Sequence, residues 1–190
     1  MTTRRAFLTS GTAAAAAVAL PLPALAYTPP KNLMPQNVRI ASQYQPGEIV
    51  ILPRAYYLYY VTAPNEARRY GIAVAKPGLG YQGVATIKRK VEWPTWRPTD
   101  DMIERDPAHY GRFKGNQERM EGGPGNPLGA RAMYLFEGSK DTYVRIHGTI
   151  EPQSIGRNAS SGCFRMINDH VIDLYNRVPL GTKVTVLQSI

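Results

Sequence analysis

The sequence predicts a single, mostly β domain with one short helix near its carboxyl end. Residues 48–75 and 131–147 each contain two runs of β-branched and aromatic residues around a turn, the pattern of a β-hairpin. Residues 169–178 place apolar side chains at helical spacing, and residues 182–187 form a final strand after a Pro-Leu-Gly turn. Asn168 or Asp169 is the expected cap of that helix.

The first 26 residues have the features of a signal peptide. Arg4 and Arg5 precede an apolar core rich in alanine, and Ala-Leu-Ala at 24–26 is a small-residue cleavage site. The paired arginines resemble a bacterial twin-arginine signal and predict export to the periplasm. A plain secretory signal and an uncleaved membrane anchor are the alternatives, although the core is shorter than the ~20 residues of a membrane span.

The remainder of the chain has the length of one domain. Residues 27–46 hold four prolines and little periodicity, so they are predicted to be a linker or an extended lead-in. Residues 47–190 are then the folded domain. Within it, residues 93–130 are rich in proline and glycine, and long irregular segments of this kind are usually lids or binding loops.

The formal net charge is +9, which excludes few functions but favours anionic partners. In a bacterial envelope those partners are the cell wall or lipid headgroups, and export makes nucleic acid an improbable ligand. The alternative is a charge that only maintains solubility.

Cys163 is the only cysteine of the chain and lies in the Ser-Gly-rich stretch SSGCFRM. Exported proteins mostly use cysteines in pairs, as disulfides, so a single thiol suggests either a buried inert side chain or a nucleophile. A nucleophilic thiol needs a base, and His147 at the end of a predicted strand is the candidate. Strand alternation places His147 on the face away from the apolar core. The carbonyl of Gly148 is suited to orienting its ring.

The turn around the cysteine also offers groups that bind negative charge. Gly162 permits a sharp backbone path, and the amides of Ser161, Gly162 and Cys163 are candidates to stabilise an oxyanion. Arg165 lies two residues after Cys163, so on an extended backbone both side chains point to the same side. Its guanidinium is expected either to bind a substrate carboxylate or to form a structural ion pair.

The motifs HGT and SSGC, followed by an apolar residue and Arg-Met, resemble those of the L,D-transpeptidase family, also called the YkuD domain family. The resemblance covers residues 47–190 and implies a β-sandwich-like catalytic domain. It implies that Cys163 is the nucleophile, His147 the base, Gly162 part of the oxyanion turn, and Arg165 a pocket residue. Many members have histidine where this chain has Ser161.

The resemblance also implies a reaction on peptidoglycan tetrapeptide stems, which forms cross-links between third residues through a cysteine thioester. Water as the acceptor would give a carboxypeptidase or another hydrolase, and a lysine of an envelope lipoprotein would give attachment of protein to the wall. A non-catalytic wall-binding protein is a third class of function. No metal or other cofactor is expected, because the sequence offers no cluster of metal ligands.

Overall fold

The computed structural model of the protein describes residues 27–188, so the predicted signal peptide lies outside the described residues. The strands are β1 (Gln36–Arg39), β2 (Ile49–Leu52), β3 (Tyr57–Ala63), β4 (Glu66–Gly71), β5 (Val74–Ala75), β6 (Gly83–Glu92), β7 (Arg131–Glu137), β8 (Lys140–His147), β9 (Asn158–Ser160), β10 (Phe164–Arg165) and β11 (Lys183–Val186). The helices are α1 (Asp100–Arg105), α2 (Pro107–Tyr110) and α3 (Asn168–Arg177), and 3₁₀ turns span Lys31–Leu33, Pro53–Ala55, Gly111–Phe113 and Pro152–Ser154. None of the helices described is long and apolar enough to cross a membrane.

Among the described residues, nine strands form one sheet in the order β1-β4-β3-β2-β11-β6-β7-β8-β10, and β5 pairs separately with β9. The pairs β2–β11 and β8–β10 are parallel, whereas the other pairs of the large sheet are antiparallel. Strands from both halves of the sheet contribute to one buried apolar cluster, so the sheet curves around a common core. The predicted mostly β fold and both predicted hairpins are confirmed.

Helix α3 covers this core after the cysteine, as predicted. Val171, Leu174 and Val178 are buried at helical spacing, and Lys90 Nζ donates to the carbonyl oxygens of Tyr175 and Val178 at the end of the helix. The prediction that Asn168 or Asp169 caps the helix is wrong. The capping position is that of Ile167, which makes no side-chain capping bond, and Asn168 is the first helical residue.

Residues 27–46, predicted to be a linker or an extended lead-in, contribute one strand to the sheet. Strand β1 pairs with β4 in register from Gln36 opposite Arg69 to Arg39 opposite Glu66, at the edge of the sheet. This strand is short and mostly exposed, so it carries no apolar alternation that sequence patterning could detect.

Residues 93–130 connect β6 to β7 and contain α1 and α2. Trp96 packs edge-to-face on Tyr110 and Phe113, and its ring centroid lies 5.8 Å and 5.9 Å from theirs. All three residues belong to this segment, so the contacts hold its two parts together. Trp93 and His109 are both exposed. The role of this segment as a lid stays a prediction.

Candidate active site

The parallel pairing of β8 with β10 brings the two predicted catalytic side chains to one sheet face. Phe164 pairs with Ile146, and both are buried in the core. Arg165 pairs with His147, and because neighbouring residues of a strand alternate between faces, both lie on the face opposite the core. Cys163 directly precedes β10, and the same alternation predicts that its side chain lies on this face as well.

His147 lies on the predicted face, but this face is not open to solvent at His147, because only 4% of the surface of this residue is exposed. Its Nδ1 is 2.6 Å from the carbonyl oxygen of Gly148, as predicted for the orienting group. A carbonyl only accepts hydrogen bonds, so Nδ1 carries the proton and Nε2 is free to accept one. Burial and the charge of Arg165 lower the pKa of His147 to about 4, although the carbonyls of Gly148 and Leu128 act in the opposite direction. The imidazole is therefore neutral at rest.

The thiol of Cys163 is also neutral at rest. Burial raises its pKa above the ordinary value, and the backbone N–H and positive charge of Arg145, with the charge of Arg165, only partly oppose this. The Sγ atom lies 3.8 Å from the carbonyl oxygen of Tyr143, to which the thiol donates. A neutral Cys–His pair requires the proton to leave the sulfur as the attack begins.

A bulge in β8 shapes the environment of the sulfur. Tyr143 has a left-handed backbone with φ of 58°, and the Asp141 carboxylate stabilises it by accepting from the Tyr143 amide at 2.8 Å. The same carboxylate binds the Arg145 guanidinium through two contacts of 2.6 Å and 2.8 Å, and the guanidinium lies 4.2 Å from the Tyr134 ring centroid. Sequence patterning missed these residues because their proximity to Cys163 follows only from the pairing of β8 with β10.

The turn before Cys163 differs in one respect from the expected oxyanion site. Gly162 has φ of 138°, which favours glycine as predicted, but its amide donates to Ser160 Oγ at 3.3 Å. Ser160 Oγ in turn donates to the carbonyl oxygen of Cys163. The amides of Ser161 and Cys163 have no acceptor within residues 27–188, so they remain the better candidates to bind an oxyanion.

Arg165 forms the predicted structural ion pair. Its guanidinium lies 2.6 Å from Glu151 Oε2, and the Glu151 side chain is 55% exposed, so the pair is accessible to solvent. A substrate carboxylate that binds Arg165 has to compete with Glu151. Among the described residues, no group of three or more His, Cys, Asp or Glu side chains could hold a metal ion.

Comparisons with known proteins found similar solved structures, similar curated proteins and a matching family model. The solved structure of a Brucella melitensis protein, described as a probable carnitine operon oxidoreductase caia, is 63% identical, with a TM-score of 0.56, over 84% of this chain and 96% of that one. A mutant of Enterococcus faecium L,D-transpeptidase is 19% identical and shares the fold, with a TM-score of 0.55 over 75% of this chain and 50% of that one.

Among curated relatives, the probable L,D-transpeptidase ErfK/SrfK of Escherichia coli K12 is 31% identical over 158 residues, 82% of this chain and 48% of that protein. The chain spans about half the length of the curated relatives that it matches first. The family model for the L,D-transpeptidase catalytic domain, YkuD, matches residues 46–186. The chain therefore belongs to the YkuD family of L,D-transpeptidase catalytic domains.

Proposed function

We propose that this protein is an L,D-transpeptidase that cross-links peptidoglycan tetrapeptide stems at their third residues through a thioester on Cys163. The observation that carries the proposal is that β10, which directly follows Cys163, pairs in parallel with the strand that ends at His147, whose Nδ1 donates to the Gly148 carbonyl. Family membership supports the same reaction.

In the first half-reaction, the Cys163 thiol gives its proton to His147 Nε2 and the sulfur attacks the carbonyl carbon of the third stem residue. Negative charge develops on the carbonyl oxygen, and the amides of Ser161 and Cys163, which have no acceptor within residues 27–188, are the candidates to stabilise it. The bond to the terminal D-alanine then breaks, and His147 returns the proton to the departing amine. A thioester and free D-alanine result.

In the second half-reaction, an amine of a neighbouring stem attacks the thioester carbon. His147 removes a proton from this amine, and the Cys163 thiolate leaves and is protonated again. One peptide bond has been exchanged for another, so no external energy source is required. Water as the acceptor would make the protein a carboxypeptidase, and a lysine of an envelope lipoprotein would make it an attachment enzyme.

The predicted export signal supports action in the periplasm, where these stems are accessible. Without the predicted signal peptide, which carries Arg4 and Arg5 and no acidic residue, the net charge is still +7, and this supports association with an anionic wall polymer. A non-catalytic wall-binding role is less well supported, because it gives no reason for the tautomer of the buried His147 to be held by Gly148.

The identity to the Brucella protein raises a second activity, because that protein is described as an oxidoreductase. Residues 78–83 (GLGYQG) even match the G-x-G-x-x-G pattern of dinucleotide-binding sites. However, the pattern leads into strand β6 and not into a helix, so the helix N-terminus that holds a pyrophosphate in such sites does not follow it. The transpeptidase proposal is therefore favoured.

The experiment is to incubate the mature protein with disaccharide-tetrapeptide and to identify products by mass spectrometry. Cross-linked dimer with release of D-alanine supports transpeptidation, and tripeptide alone supports hydrolysis. Cys163→Ala should abolish both products and the acyl-enzyme, and His147→Ala should suppress them. His109→Ala is the matched control, because this histidine is exposed and lies outside the site. The proposal fails if neither the stem nor a β-lactam acylates the protein, or if the Cys163→Ala variant is still acylated.

A further inference from the structure

The side-chain oxygen of Asn168 bonds to two segments outside its own helix. It is the first residue of α3, and its Oδ1 accepts hydrogen bonds from the backbone amides of Ala130, at 3.0 Å, and Thr149, at 3.2 Å. These amides belong to two separate segments, one at the start of β7 and one just after β8. A single oxygen therefore holds together two loops that border His147.

The Thr149 amide is the decisive contact. The N–H of Thr149 and the C=O of Gly148 are parts of one planar peptide unit and point in opposite directions. That carbonyl oxygen accepts the hydrogen bond that His147 Nδ1 donates, with 2.6 Å between the two atoms. By binding the N–H at one edge of this peptide unit, Asn168 determines the direction of the carbonyl at the opposite edge.

The two loops are shaped to admit this oxygen. A Cβ atom at Gly129 or at Gly148 would collide with Asn168 Oδ1, and Gly129 has φ of 63°. Glycine at both positions lets the backbone approach the amide side chain closely. Two glycines from different segments are thus adapted to one side-chain atom.

We propose that Asn168 is a positioning residue for His147, acting through the Gly148–Thr149 peptide unit. It would have the role of the third member of a Cys-His-Asn triad, which fixes the tautomer and direction of the imidazole, but it acts through a backbone peptide instead of contacting the ring. This proposal rests on the proposed function only in one respect, the reaction in which His147 acts as the base. The tautomer of His147 is measurable without any substrate.

The test compares Asn168→Leu, which removes the acceptor at similar size, with Asn168→Asp, which keeps an oxygen able to accept from both amides. Asn176→Ala is the control, because Asn176 is an exposed residue of the same helix. Three quantities are measured: the rate of acylation of Cys163 by a stem peptide or a β-lactam, the thermal midpoint, and the His147 tautomer from long-range ¹H–¹⁵N spectra.

We expect the Leu variant to be acylated about 100-fold more slowly, the loss typical of a misplaced catalytic group. Its His147 should show a mixture of tautomers. The Asp variant should retain the Nδ1–H tautomer and recover most of the rate, and the control should match the parent.

A Leu variant with a lower thermal midpoint but the parent's tautomer and acylation rate would overturn the proposal and leave Asn168 a structural residue. If the Leu variant does not fold, Asn168→Ser provides the same comparison, because serine is too short to reach both amides. Failure of the parent protein to be acylated would refute the proposed function. The tautomer comparison would still decide the role of Asn168.

Discussion

The buried His147 predicts a specific dependence of stability on pH. Its pKa in the folded protein is about 4, against an ordinary value of 6.5 that applies to the unfolded chain. The unfolded chain therefore binds the proton more readily than the folded protein does. Above pH 6.5, His147 is neutral in both states and does not reduce the free energy of unfolding. As the pH falls from 6.5 towards 4, the unfolded chain takes up the proton first, so the free energy of unfolding decreases progressively.

The size of the effect follows from the difference between the two pKa values. At 1.36 kcal/mol for each pKa unit, lowering the pH from 7 to 4 should reduce the free energy of unfolding by about 3 kcal/mol through this residue alone. That loss is a large fraction of the ~5–15 kcal/mol by which most domains are stable.

The assay is urea unfolding at a series of pH values between 4 and 8, with the parent protein and with His147→Asn. Asparagine does not titrate, and its amide can still donate to the Gly148 carbonyl. Other groups, including the buried His170, titrate equally in both proteins, so the difference between the two curves isolates His147. Parallel curves across this range would show that His147 is not held in a neutral state, and would remove the neutral base from the mechanism.

Three other predictions follow from single residues. Alkylation of Cys163 by iodoacetamide should keep accelerating above about pH 8.5, because burial raises the pKa of the thiol; a rate already constant at pH 7 would contradict this. Gly129→Ala should destabilise the protein by about 2–4 kcal/mol, because the new Cβ meets Asn168 at positive φ, whereas Gly138→Ala, also at positive φ but in open space, should cost less by thermal unfolding. The Asp173 carboxylate is partly buried, yet bonds from two arginines and a tyrosine lower its pKa to about 2, so Asp173→Asn should cost about 1–2 kcal/mol at pH 7. That deficit should shrink as the pH falls from 4 towards 2, and a constant deficit would argue against the ion pairs.

Elements with strong local patterns were predictable. The hairpin of β7 and β8 has alternating apolar residues around a Gly-Ser turn, and α3 has apolar residues at helical spacing. Strand β1 was missed because pairing with β4, and not burial, makes it a strand. The capping role expected of Asn168 was wrong for a related reason, since its side chain has stronger partners in two distant loops than in its own helix.

The candidate site divides in the same way. The sequence alone predicted Cys163, His147, Gly162 and Arg165 as site residues, because a lone thiol in a glycine turn downstream of a strand-end histidine is a local and chemically distinctive pattern. Only the tertiary structure decided that His147 is buried and neutral and that Arg165 forms an ion pair with Glu151. It also decided that Asp141, Arg145 and Asn168 shape the site. These facts depend on the pairing of β8 with β10 and on loops far apart in the chain. Burial and hydrogen bonding between distant segments set pKa values and side-chain directions, and no local pattern encodes them.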